Sequence, residues 1–167
     1  MKQRILDKII PREAAAALGA QLHAEGKRIV FTNGCFDLLH PGHVRYLEEA
    51  ALLGDFLVVG LNTDQSVRGL DKSPSRPIQN EEARAQVLAA LASVGAVVLF
   101  GEPTPLELIS EIGPDVLVKG ADYQPEAIVG YDVVTARGGQ ILTIPFLPGY
   151  STTAIEQKIL QAHQGGA

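Results

Sequence analysis

Two histidines three residues apart, in the tetrapeptide His40-Pro41-Gly42-His43, carry the clearest chemical signal in the chain. They follow an apolar run, Lys27-Arg28-Ile29-Val30-Phe31-Thr32, and a turn-like stretch, Asn33-Gly34-Cys35-Phe36-Asp37. They open a helical run from Val44 to Leu53. Side chains three apart on a helix lie one above the other. The first turn of a helix also leaves backbone N–H groups free, and these bind phosphate oxygens. A strand, a Gly-containing turn and two imidazoles at a helix start therefore compose a phosphate site. An imidazole titrates near 6.5 and presents an N–H donor in either charge state, so it can meet oxygens on which charge grows in a transition state. No carboxylate or serine nucleophile stands beside the pair, which points toward nucleotidyl transfer rather than hydrolysis. The competing reading is that His43 heads the apolar stripe of Leu47 and Ala50 as a buried packing histidine.

Other residues add to the signal. Gly34 has no side chain to block close approach to the turn's N–H groups. Cys35 reads as packing rather than nucleophile, since no second cysteine is present to resolve it. A zinc site from His40, His43 and Asp37 is disfavoured, because no cysteine or third histidine lies close in sequence. Lys72 and Arg76 sit on a loop from Gly69 to Gln79 long enough to close over phosphates. Arg84, in the following helix, reads as either an ion-pair former or a phosphate clamp. Thr153-Ala154-Ile155-Glu156 has the form of a capping box with Thr153 as N-cap, leaving Ser151 and Thr152 for a phosphate. Neither a P-loop nor a G-x-G-x-x-G fingerprint nor a G-x-S-x-G elbow is present.

Composition bounds the class. The chain has 167 residues, 46% of them hydrophobic, and a formal net charge of −5. That is one folded domain with a full core. The charge argues against a nucleic-acid partner bound through a basic surface, so an anionic ligand must be gripped locally against the overall field. A single cysteine suits a reducing cytoplasm. The opening residues Met1 to Lys8 are too charged for a signal sequence, and runs such as Phe56 to Leu61 are too short to span a membrane.

The elements that must position these residues follow from pattern. Helices are expected over 11–25 (an N-terminal helical extension covering 1–25), 41–53, a short stretch to Arg68, 81–94 under the cap Asn80, 105–112 from a Thr104-Pro105-Leu106-Glu107 capping box with Pro105 at the first helical position, short pieces near 125–137, and 153–161. Strands are expected over 27–32, 55–61, 95–100, 115–119 and 140–144. The alternation implies an α/β fold: a doubly wound, Rossmann-like, five-stranded parallel sheet in a single domain. Ligands sit outside the carboxyl ends of such strands. The histidine motif, Lys119-Gly120 and Ser151-Thr152-Thr153 all fall at that edge.

Together these residues resemble the H-x-G-H nucleotidyltransferase superfamily, cytidylyltransferase-like branch. Thr32 to His43 is similar to its first motif. Ser75-Arg76-Pro77, Val118-Lys119-Gly120-Ala121-Asp122-Tyr123 and Ser151-Thr152-Thr153 resemble the D-glycero-β-D-manno-heptose 1-phosphate adenylyltransferases. The likeness runs from Gly26 to Ile159. It implies transfer of AMP from ATP to a sugar 1-phosphate, with Mg²⁺ arriving on the ATP phosphates. It implies that His40, His43 and Lys72 are catalytic. Thr32, Asn33, Gly34, Cys35, Phe36, Gly42, Lys119, Gly120, Ser151, Thr152 and Thr153 would hold the nucleotide, and Asp37, Arg76 and Asp122 would face the acceptor, with no protein metal ligands. Such domains are often fused to a sugar kinase. This chain is expected to stand alone beside a separate one, and a homodimer is compatible with its sequence. Glycerol-3-phosphate cytidylyltransferases carry Arg-Thr-Glu-Gly before Ser-Thr-Thr, where this chain has Phe146-Leu147-Pro148-Gly149. A cytidylyltransferase and a non-catalytic nucleotide-binding module are the alternatives.

Overall fold

The computed structural model describes residues 4–70 and 75–164. Six strands form one sheet in the order β1-β4-β3-β2-β5-β6, and every neighbouring pair is parallel. They are β1 (Ile9–Ile10), β2 (Ile29–Gly34), β3 (Phe56–Asn62), β4 (Ala96–Phe100), β5 (Val116–Gly120) and β6 (Gln140–Ile144). The helices are α1 (Ala15–Ala24), α2 (Pro41–Ala51), α3 (Asp64–Arg68), α4 (Glu81–Ala89), α5 (Leu106–Ile112), α6 (Tyr131–Ala136) and α7 (Thr152–Gln164). None of the described helices is long and apolar enough to cross a membrane.

The central strands are apolar on both faces, because helices cover both. Their residues alternate between two cores with the period of two that a pleated strand imposes. Val30, Leu57, Val59, Val97, Val116 and Val118 pack beneath α2 and α4 with Tyr46, Leu47, Ala50, Ala85 and Leu88. Ile29, Phe31, Val58, Val98 and Leu117 face the other way, toward α1, α5 and α6, with Leu22, Leu108, Ile109, Ile112 and Val134. The chain runs outward from β2 through β3 to β4, then crosses back to place β5 on the other side of β2. That reversal opens a crevice above the carboxyl ends of β2 and β5.

Four local differences from the sequence expectations have physical causes. The sheet has six strands rather than five: Ile9 and Ile10 pair with Val97 and Val98 at one edge, so the first 25 residues are not a purely helical extension. Two residues are too few to show an alternation. Helix α1 begins at Ala15, behind a 3₁₀ turn over Arg12–Ala14. The Thr104 capping box does not form. Pro105 occupies the cap position of α5 without a side-chain bond. At the far end Gly113, at φ +61°, closes that helix in the left-handed conformation as expected. Finally, Ser151 rather than Thr153 caps α7, its Oγ accepting the Ala154 N–H at 3.0 Å.

Candidate active site

The site is built on the end of β2. Six residues beyond it, His40 takes an extended backbone (φ −141°, ψ 168°) and becomes the N-cap of α2, with Pro41 at the first helical position. Proline fits there because its missing N–H is one that the helix could not have used. The His40 Nδ1 accepts the His43 N–H at 3.4 Å, alongside a 2.9 Å bond from the same N–H to the His40 carbonyl. The two imidazoles stack, with centroids 3.8 Å apart and planes 21° apart. Gly42 permits this stack: a Cβ there would lie 2.9 Å from His40 Nδ1. Phe36 packs against His43 at 5.3 Å between ring centroids, and Tyr150 lies over the outer face of His40 at 6.5 Å. Partial burial lowers the His40 pKa below its usual 6.5. The neutral ring then keeps Nδ1 as an acceptor for the helix and leaves Nε2–H as a donor. The His43 Nδ1 is buried as well.

Around the pair lies a crevice of about 660 Å³, a volume within the range of small-molecule sites. Its floor is Asn33 to Phe36, His40, Gly42, His43 and Tyr46. One wall comes from the loops after β5 and β6, with Lys119, Gly120, Asp122, Tyr123, Phe146, Leu147, Tyr150, Ser151 and Thr152. The opposite wall is Asn62, Leu70, Pro103 and Pro105. Lys119 Nζ reaches the Asn33 carbonyl at 3.5 Å and sits 5.8 Å from the Tyr123 ring centroid. Two helix starts, those of α2 and α7, face the same space and add their N-terminal partial positive charge to that of Lys119. The Asp122 carboxylate shares the wall with Lys119 in a chain of net charge −5, so an anion there is held by local donors.

Twelve of the residues expected at the site from the sequence line this crevice: Asn33, Gly34, Cys35, Phe36, His40, Gly42, His43, Lys119, Gly120, Asp122, Ser151 and Thr152. Lys72 lies outside the described residues. Four others do not reach the wall. Thr32 is buried with its Oγ1 2.8 Å from the Tyr46 hydroxyl. Thr153 is exposed on α7, does not line the crevice and is not the cap. Asp37, expected to meet the acceptor, is instead buried under the turn. Its carboxylate accepts the backbone N–H groups of Ile78 and Gln79 at 2.9 and 3.0 Å. Arg76, also expected at the acceptor, donates to Glu156 on α7 at 2.6 Å and stands 3.9 Å from Asp37. Both carry a counter-charge already, so they tie the loop before α4 to the turn and to α7.

Several lining residues were not singled out from the sequence. Tyr46 lies one helical turn beyond His43, and its burial, with the Asp122 charge adding and the Thr32 hydrogen bond opposing, pushes its pKa up to about 12. It therefore stays protonated and serves as a wall rather than a proton carrier. Phe146 covers Gly120 so closely that a Cβ there would lie 2.1 Å from the ring tip. Asn62 is the one polar side chain ending an otherwise apolar strand, which is the signal that could have found it. Leu70, Pro103, Pro105, Tyr123, Leu147 and Tyr150 sit on loops, where no periodicity marks a residue as facing a ligand.

Comparison with known proteins places this arrangement. The cytidylyltransferase-like family matches residues 31–158. A protein of Azorhizobium caulinodans named "Bifunctional protein HldE" is 57% identical over 150 residues, covering 90% of this chain and 31% of the relative. A protein of the same name from Citrifermentans bemidjiense is 57% identical over 144 residues, 86% of this chain and 29% of the relative. The chain thus spans about three tenths of the length of these curated relatives. The crystal structure of a lipopolysaccharide core biosynthesis protein from Thermoplasma volcanium superposes with a TM-score of 0.59 at 28% identity, over 73% of this chain and 98% of that one. A pantoate-beta-alanine ligase from Francisella tularensis, complexed with an ATP analogue and beta-alanine, shares the fold alone, with a TM-score of 0.59 at 17% identity over 92% of this chain and 77% of that one. A match over the crevice, both histidines and the start of α7 leaves one conclusion: the chain belongs to the cytidylyltransferase-like family and is built as a nucleotidyltransferase.

Proposed function

We propose that this chain transfers AMP from ATP to a sugar 1-phosphate, D-glycero-β-D-manno-heptose 1-phosphate, and releases pyrophosphate. The observation that carries this reading is the stacked histidine pair at the start of α2, open to a crevice that also receives the start of α7 and Lys119. The relatives named HldE and the lipopolysaccharide core biosynthesis protein favour the heptose acceptor. An acceptor phosphate oxygen attacks the α-phosphorus in line. A new P–O bond forms, the bond to the bridging oxygen breaks, and pyrophosphate leaves with that electron pair. No covalent enzyme intermediate is required. The protein's part is to align two anions and stabilise charge on the α-phosphate oxygens and the leaving group. His40 and His43 donate from Nε2 to those oxygens, and the floor at Gly34 to Phe36 adds backbone donors. The Ser151-Thr152 helix start and Lys119 hold the remaining phosphate charge, and Mg²⁺ enters as part of the MgATP substrate. The resemblance implies Lys72 as a further cation for the phosphates. A sugar 1-phosphate acceptor calls for a sugar kinase upstream.

The test is pyrophosphate release with ATP and CTP against D-glycero-β-D-manno-heptose 1-phosphate, hexose 1-phosphates and glycerol 3-phosphate. Turnover with ATP and the heptose phosphate is expected. His43→Ala should lower kcat by about a hundredfold to a thousandfold with an unchanged circular dichroism spectrum. Turnover with CTP alone overturns the adenylyl reading, and turnover with glycerol 3-phosphate alone overturns the sugar.

A further inference from the structure

Beneath the crevice floor lies Arg84, a guanidinium with no solvent exposure. Burying that charge is unfavourable unless every arm is bonded. Here Nη2 donates to Asp64 Oδ1 at 2.7 Å, Nε donates to the Gln79 carbonyl at 3.1 Å, and Nη1 donates to the Cys35 carbonyl at 2.7 Å. The third bond is the informative one. A trans peptide points its C=O and N–H in opposite directions within one plane. Pinning the Cys35 carbonyl down toward Arg84 therefore turns the Phe36 N–H up, away from the core. Phe36 sits at φ +44°, a backbone state a bulky residue does not adopt unforced. Its N–H donates to no acceptor found among the described residues, and Phe36 lines the crevice.

We propose that Arg84 is a positioning residue for phosphate recognition: through the Cys35 carbonyl it fixes the Cys35–Phe36 peptide so that the Phe36 N–H points at a phosphate oxygen of the bound nucleotide. The inference rests on the nucleotidyl-transfer reading above and deepens it. The guanidinium also polarises the peptide it holds. Charge drawn toward the carbonyl oxygen makes the opposite N–H a stronger donor. Asp37, one residue on, anchors the far end of the same turn through Ile78 and Gln79. The turn is thus held from below at the Cys35 carbonyl and at the Asp37 carboxylate while its donor faces the ligand. Such preorganised backbone donors favour an oxygen whose charge grows during reaction over one whose charge is fixed.

The experiment compares Arg84→Lys and Arg84→Gln with Leu22→Ala, a core truncation on α1 remote from the crevice, all below their unfolding midpoints. Lysine keeps the charge but cannot reach three separated acceptors from one ammonium. The expected kcat for pyrophosphate release falls about tenfold in Arg84→Lys and about a hundredfold in Arg84→Gln. Affinity for MgATP should stay within threefold, and Leu22→Ala should keep the wild-type kcat. Independently of any acceptor, MgATP added to ¹⁵N-labelled wild-type protein should shift the Phe36 amide proton downfield, and this shift should shrink in Arg84→Lys. A Phe36 amide unmoved by saturating MgATP overturns the proposal. So does a kcat within threefold of wild type in both Arg84 variants, or an equal loss in Leu22→Ala. If no sugar 1-phosphate turns over, the acceptor reading falls while the amide shift still decides the role of Arg84.

Discussion

His40 holds two hydrogen-bonding duties that require opposite things of its two nitrogens. Nδ1 must carry a lone pair to accept the His43 N–H, and in the proposed reaction Nε2 must carry a proton to meet a phosphate oxygen. Only the neutral ring satisfies both. Burial supplies it by lowering the pKa below 6.5, so the folded chain binds that proton less readily than the unfolded chain. The stability this group contributes is present above the unfolded value and is lost as pH falls through the lower folded one. In a pH series kcat/KM should be level from pH 7 to 8 and fall only on the acid side, below the ordinary histidine range of about 6.5. An acid limb with its midpoint above that range would show that the cationic ring is the working form. Gly42 is the second test of the pair. An alanine Cβ at 2.9 Å from Nδ1 and 3.0 Å from Cε1 of His40 must push that ring off its partner. Gly42→Ala should therefore lower kcat at least about tenfold, with a melting temperature close to wild type. The pair was legible in the sequence because its spacing, its proline and its preceding strand are all local. The partners of Asp37 and Arg76 are not legible in the sequence, because Ile78, Gln79 and Glu156 are far away in the chain, and charge beside a motif does not reveal what already neutralises it.

At the scale of elements, α7 depends on who caps it. The sequence offers Thr153 with Glu156 three residues later, a pattern that normally satisfies two orphan backbone groups reciprocally. The fold uses Ser151 instead, and Glu156 turns outward to Arg76. The element boundary shifts by two residues because a distant guanidinium competes for the carboxylate that the capping box needs. Ser151→Ala should accordingly cost about 1 kcal/mol in thermal or urea unfolding and weaken ATP binding by fraying the helix start at the crevice. Thr153→Ala should change stability by less than about 0.5 kcal/mol. The reverse order of the two variants would restore Thr153 as the cap. Strands β2 to β6 were each placed within a residue or two, since an apolar strand covered on both faces leaves an unbroken signal. The crevice walls were half legible. Lys119, Gly120 and Asp122 are marked by their motif, whereas Tyr123 at its end and the loop residues Phe146 and Tyr150 are not marked as lining, because their direction is set by packing against Lys119, Gly120 and His40.

Across the whole molecule, both faces of the sheet hold a core, and one of them also carries the candidate site. The histidine pair and the Arg84 clamp belong to the α2 and α4 side of the sheet. On the opposite side α1 and α5 are in close contact, and their meeting point is Gly19 against the backbone of Ile112. A Cβ at Gly19 would stand 2.4 Å from the Ile112 carbonyl oxygen and 2.9 Å from its carbonyl carbon. Neither atom can rotate aside as a side chain could, so the helices themselves must separate. Overpacking of this kind typically costs 1–3 kcal/mol, and the separation also loosens Leu22, Ile109 and Ile112 in the core beneath. Gly19→Ala should thus lower the unfolding free energy by about 1–3 kcal/mol. None of the residues lining the crevice belongs to α1 or α5, so the two helices can part without a lining side chain moving with them. Below the lowered melting temperature kcat should stay within about twofold of wild type. Unfolding monitored by circular dichroism, with pyrophosphate release at 15 and 37 °C, separates the two effects. A kcat loss at 15 °C matching the stability loss would mean that the crevice is held by both faces of the sheet rather than by the α2 and α4 side alone.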